Sequence, residues 1–129
     1  MIKLSVHVQR TDDRVVVKLS GELDMAEISR VRQELDDIEA SKPPEIVFDL
    51  RDLSFIDSSG LRLVLETDVR ARKEARRLMV VPGPEPVHRI FLIALLDKRL
   101  DFIDPAEADG GAPSGGAAAG GADDGEPST

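Results

Sequence analysis

The sequence predicts an α/β fold: a small mixed sheet of about five strands, an N-terminal antiparallel hairpin followed by strand–helix units, flanked by helices. Three observations predict it. Residues 2–8 alternate apolar and polar side chains with the period of two of a half-buried strand, and a short turn separates them from a second apolar run at Val15 to Leu19. The pattern then switches to steps of three and four, returns to a short apolar run, and repeats that exchange. The intervening segments are too short for antiparallel meanders around helices, so the later strands pair in parallel through right-handed crossovers.

Each element has its own signal. Ile2, Leu4, Val6 and Val8 alternate with Lys3, Ser5 and His7, giving a strand over 2–8. Arg10-Thr11-Asp12-Asp13 is turn-like, and Val15 to Leu19 forms the second strand of a hairpin. Ile28, Val31, Leu35 and Ile38 share one face of a helix over about 26–40. Asp24 precedes it with Glu27 three positions on, which is capping-box spacing. Pro43-Pro44 stop that helix, and Glu45 to Leu50 is the third strand. Leu61, Val64, Leu65 and Val69, with Ala71 and Ala75, line a second helix starting near Ser58. Leu78 to Val81 is a short buried strand. The Pro82–Pro86 loop leads into a third helix over Val87 to Leu95, and Arg99 to Ile103 closes the sheet.

Charge divides the chain. All 17 basic residues but only 20 of the 25 acidic ones fall in residues 1–104, a net −3. The last 25 residues hold five acids, no base and seven of the ten glycines, a net −5. With no apolar side chain larger than alanine, residues 105–129 have little to bury against their ordering entropy, so they are expected to be a disordered acidic tail behind one domain of residues 1–104.

Composition excludes whole classes of function. Without cysteine there is no disulfide scaffold, thiolate metal site or cysteine nucleophile. His7 and His88 lack ligand-spaced partners, so no metal and no cofactor is expected, and each is read as a solvated or capping histidine. The longest apolar run, Ile90 to Leu96, is far short of the roughly 20 residues of a membrane span. The N-terminus has no signal-peptide pattern, so a cytoplasmic, non-membrane protein is expected. Net acidity and only four aromatics oppose nucleic-acid binding. The Arg70–Arg77 basic cluster reads as a solvated helix end that complements the helix dipole.

If strands two to four are parallel, the loops after them open on one sheet edge, where such sheets bind. These are Gly21-Glu22-Leu23-Asp24, Phe55 to Gly60, and the proline-rich segment 82–86. In the middle loop Asp57-Ser58-Ser59-Gly60 opens a helix, whose first turn offers unpaired amides and partial positive charge. Gly60 is expected to let a partner backbone come close. A serine here is exposed on a rigid element, and a phosphate on it would not disrupt its own helix. As an enzyme the chain is poorly equipped: it has no G-x-S-x-G elbow, no orienting partner for His88 as a base, and no phosphate-cradling G-x-x-x-x-G-K-[ST], so no catalytic residue is assigned. A serine hydrolase remains the reading from another class.

The run Leu19-Ser20-Gly21-Glu22-Leu23-Asp24, then a helix, then Ile46-Val47-Phe48-Asp49-Leu50-Arg51-Asp52-Leu53-Ser54-Phe55-Ile56-Asp57-Ser58-Ser59-Gly60-Leu61 closely resembles the STAS domain of bacterial anti-sigma factor antagonists. The resemblance spans about residues 2–104. It rests jointly on the G-E-L-D turn, the D-L-x-x-L-x-F-I-D-S-S-G-L segment and their spacing across one helix.

The resemblance implies phosphorylation of Ser58, with Ser59 the second choice, by an anti-sigma factor that has kinase activity. The unphosphorylated protein would bind that partner and free a sigma factor; phosphorylation would block binding and a serine phosphatase would restore it. The expected contact surface comprises Gly21, Glu22, Asp24, Asp57, Ser58, Ser59, Gly60 and Arg62. The alternative is a STAS accessory subunit of a transporter ATPase or sensory complex. Similar proteins continue past the last strand into another amphipathic helix. Here Pro105 and the Gly/Ala tail leave that helix absent or much reduced, so a second copy covering the open surface, a homodimer, is an open alternative.

Overall fold

Alternation at the N-terminus produces the expected hairpin. In the computed structural model, which describes residues 3–110, β1 (Leu4–Arg10) pairs antiparallel with β2 (Arg14–Leu23). A 3-10 turn (Met25–Glu27) leads into α1 (Ile28–Ala40), then β3 (Glu45–Ile56), α2 (Ser58–Lys73), β4 (Arg77–Val81), α3 (Glu85–Ile93), β5 (Asp101–Phe102) and α4 (Pro105–Gly110). The five strands lie in sequence order, with β2 to β5 all parallel. Ile2, the first residue expected in β1, lies outside the described residues.

Sequential order with right-handed crossovers sends every connecting helix to the same side of the sheet. That side buries Leu4, Val15, Val17, Leu19, Ile46, Phe48, Leu50, Leu78 and Val80 against apolar residues of α1, α2 and α3, among them Leu35, Val64 and Phe91. Phe48 and Phe91 are fully buried, and each such side chain contributes about 1.5–3 kcal/mol by leaving water. The opposite side is thinner: Val47, Met79 and Val81 pack with Ile103 and with Ala108 of α4.

Helix α4 corrects the expectation that everything beyond residue 104 is unstructured. Pro105 begins a helix rather than blocking one, because the first turn needs no N–H from it. The Asp104 amide donates to Glu107 Oε1 at 3.1 Å and the Glu107 amide to Asp104 O at 3.0 Å. Arg14 donates to Glu107 O at 2.7 Å, and Arg51 grips both Asp109 oxygens at 2.7 and 3.0 Å. Arg51 also binds both oxygens of Asp49, a residue only 2 % exposed. Burial on its own pushes the Asp49 carboxyl up, but the Arg51 hydrogen bonds outweigh it and hold the group below its ordinary range. Residues 111–129, the rest of the expected tail, lie outside the described residues.

Other readings are refined. The arginines near the end of α2 are internally paired: Arg72 with Asp68, Arg76 with Glu39 and Glu74, and Arg77 with Asp101. His88 is neither solvated nor a cap. It is half-buried against Phe102 and Phe91, at ring-centroid distances of 5.0 and 6.5 Å.

Candidate functional site

Strands β2 and β3 outrun their neighbours. Strand β4 ends at Val81 opposite Asp49, whereas β3 continues to Ile56 and stays paired with β2 through Gly21↔Leu53, Glu22↔Phe55 and Leu23↔Ile56. Gly21, Glu22 and Leu23, expected in a turn, are therefore strand, with register shifts on both sides of Ser20–Gly21 absorbing the irregularity. The extension also separates the three loops. Segment 82–86 leaves the sheet near Leu50, since a Cβ on Gly83 would lie 2.8 Å from Leu50 O. That is about 20 Å short of Ile56 at the rise of a parallel strand. Two loops meet at the site and the third does not.

The two long strands deliver Asp24 and Asp57 side by side. Both have extended backbone and both cap the element that follows. Asp24 Oδ1 accepts from the Ala26 amide at 3.1 Å. Asp57 Oδ1 accepts from the Gly60 amide at 3.1 Å, while its Oδ2 accepts from the Met25 amide of the neighbouring turn at 3.0 Å. One carboxylate thus fixes the starts of two helical segments. Glu27 does not complete the Asp24 capping box; its Oε1 accepts instead from Arg30, at 2.8 Å.

Asp57→Ala removes both acceptors and is expected to lower stability by about 1–2 kcal/mol. In urea denaturation, Asp57→Asn should recover part of that loss because it keeps one oxygen.

Ser58 is the first residue of α2, is exposed, and its hydroxyl has no hydrogen-bond partner among the described residues. Ser59 is half-buried. Gly60 is buried: a Cβ there would come 2.7 Å from Ile56 Cγ1 and 3.0 Å from Leu23 Cγ. It admits the protein's own core and does not offer its face to a partner, contrary to expectation. Glu22 and Arg62 are exposed, the latter one turn along α2 from Ser58.

Three contributors escaped the sequence reading. Lys3 Nζ binds Asp24 Oδ2 at 2.5 Å and lies 3.8 Å from Glu22 Oε1. That hydrogen bond holds the Asp24 carboxyl below its ordinary range and raises the Lys3 ammonium. Nothing local in the sequence joins residues 3 and 24; the hairpin register does. Met25, 74 % exposed, and Phe55, 46 % exposed, add apolar surface beside the aspartates. Their signal was legible, Met25 directly following the G-E-L-D turn and Phe55 lying inside the second motif.

Among the described residues no group of three or more His, Asp or Glu is arranged to hold a metal. His88 sits in the aromatic contact already described, in the helix that starts near the set-back loop, so it offers no base for a Ser58 nucleophile.

A family model described as Mlab, STAS domain, matches residues 6–104. The chain is 30% identical over 104 residues to the anti-sigma F factor antagonist of Paenibacillus polymyxa, spanning 80% of this chain and 89% of that protein. The solved structure of an anti-sigma factor antagonist from Mycobacterium paratuberculosis superposes with a TM-score of 0.72 at 30% identity, covering 82% of this chain and 89% of that one. SpoIIAA of Bacillus is similar at 25% identity in two states. Its unphosphorylated form gives a TM-score of 0.70 over 81% of this chain and 93% of that one. Its phosphorylated form gives 0.65 over 81% and 96%.

Proposed function

Because the chain belongs to the STAS domain family, we propose that it is an anti-sigma factor antagonist, a binding protein switched by phosphate on Ser58. Its partners in this reading are an anti-sigma factor with kinase activity, which it binds when unphosphorylated so that a sigma factor is released, and a serine phosphatase that resets it. The ATP-dependent partner puts the protein in the cytoplasm; among the described residues no helix is long and apolar enough to cross a membrane.

One observation carries the reading. Ser58 presents an exposed, unpartnered hydroxyl on a helix start that Asp57 has already fixed. A kinase can approach it without unfolding anything. In the transfer the Ser58 oxygen bonds to the γ-phosphorus of ATP, the bond from that phosphorus to the β–γ bridging oxygen breaks, ADP leaves, and the hydroxyl proton passes to a base on the kinase. Similarity to SpoIIAA, which has been solved in a phosphorylated form, supports the same reading.

Incubation with ATP and the cognate anti-sigma factor should place one phosphate on Ser58, mapped by mass spectrometry. Label elsewhere, with Ser58→Ala still accepting normally, overturns the site. A pull-down that recovers a transporter ATPase and no kinase-like partner overturns the antagonist role in favour of an accessory STAS subunit.

A further inference from the structure

Arg62 stands apart from every other arginine. Arg10 donates to Ser41 Oγ, and Arg14, Arg30, Arg32, Arg51, Arg70, Arg72, Arg76, Arg77, Arg89 and Arg99 each lie in an ion pair. Arg62 has neither kind of partner among the described residues, and it is exposed. An acid at i+4 would ordinarily engage it, and Glu66 occupies that position. Glu66 Oε1 is already taken by Arg32 of α1, at 2.7 Å. On the other side, four residues back, stands Ser58. Residues four apart on a helix have Cβ atoms about 5–6 Å from each other, within reach of a guanidinium and a phosphate.

The charges around Ser58 make that vacancy matter. Asp57 directly precedes Ser58 and binds the Met25 amide beside Asp24, while the lysine of this cluster, Lys3, is engaged by Asp24 and lies 3.8 Å from Glu22. A phosphoserine adds about −1.5 to −2 charges to this acidic ground. The first turn of α2 offsets part of the repulsion. A free guanidinium, which binds phosphate through two parallel N–H donors, can offset more.

We infer that Arg62 is the built-in counter-ion of the Ser58 phosphate, binding it within the same helix and holding it over the first turn. The inference rests on the Ser58 reading and extends it to how the modified state is kept. Phosphorylation then changes the surface twice: it adds an anion at Ser58 and withdraws a cation at Arg62 from any partner.

The test uses full-length protein with phosphoserine genetically encoded at position 58, so no kinase is needed. The second ionisation of the phosphate is followed by phosphorus NMR titration in this protein and in its Arg62→Gln counterpart. With Arg62 present the midpoint should lie about 0.3 pH unit lower, from the strength of an i,i+4 ion pair. The Arg62 Nε–H resonance should move with the same midpoint. Arg62→Lys, which keeps the charge, should retain most of the shift, and 1 M salt should shrink it. Midpoints agreeing within about 0.1 unit, or an Arg62 Nε–H signal indifferent to the titration, overturn the assignment. Because the phosphate is installed directly, that failure stands apart from a failure of the kinase to choose Ser58.

Discussion

Phosphorylated protein is expected to bind its anti-sigma factor several-hundred-fold more weakly than unmodified protein, a penalty of about 3–4 kcal/mol. The loss arises in place, without refolding. Ser58 is at the first position of α2, where a phosphate is compatible with the helix and is favoured by its dipole. Asp57 keeps both of its amide partners, so the surface retains its shape and changes its charge. In the proposed complex that surface, including the exposed side chains of Met25 and Phe55, leaves water. A dianion in the same patch then has to be desolvated with only Arg62 and the helix terminus to offset it, and with no counter-charge from the anti-sigma factor. Calorimetric titration of the anti-sigma factor with unmodified, phosphorylated and Ser58→Ala protein separates the cases. Ser58→Ala should bind within a few-fold of the unmodified protein and resist inactivation by ATP. Ser58→Glu, with one charge and a shorter reach, should fall between. Phosphorylated protein that binds within tenfold of unmodified protein would mean the switch does not act through affinity.

The fold was legible where side-chain periodicity alone determines the outcome. Alternation of Leu4, Val6 and Val8 marked the first strand, the run Val15 to Leu19 marked the second, and the three-and-four spacing of Val31, Leu35 and Ile38 assigned the helix stripe that covers the sheet. The D-S-S-G segment was legible too, because capping is local chemistry: Asp57 serves the amide three residues on. Long-range register was not. Gly21 and Glu22 read as a turn because glycine and a charged residue interrupt the apolar alternation. They remain strand because β1 and β3 supply partners on both sides. The same pairing brings Lys3 to Asp24 and leaves the loop after β4 behind. Helix α4 was missed for the opposite reason. Its apolar side chains beyond Pro105 are two alanines, exposed Ala106 and buried Ala108, too little for a periodicity signal, although Asp104 and Glu107 carry the spacing that also announced α1.

Gly21→Ala is expected to be the most damaging single-methyl change near the site, costing about 3 kcal/mol. Gly21 has φ of +102°, in the region that side-chain-bearing residues avoid, and that conformation carries a penalty of about 1–3 kcal/mol. The methyl would also sit 2.1 Å from the carbonyl oxygen of Lys3, a backbone atom directly before β1 that cannot rotate away. Relief requires β1 to move, which breaks the 2.7 Å bond from the Glu22 amide to that same oxygen, worth about 1 kcal/mol. Gly60→Ala makes the informative comparison. Its methyl meets side-chain atoms, Ile56 Cγ1 at 2.7 Å and Leu23 Cγ at 3.0 Å, which can give by rotation, so about 1–2 kcal/mol is expected. Urea denaturation should show a lower midpoint for both, with the larger drop for Gly21→Ala. Displacing β1 also carries Lys3 away from Asp24, so carbon NMR titration of Gly21→Ala should find the Asp24 carboxyl returning toward its ordinary range, whereas Gly60→Ala leaves it depressed. Equal losses in the two variants, or an unmoved Asp24, would mean that the close approach of β1 at Gly21 does not hold the Lys3–Asp24 pair in place.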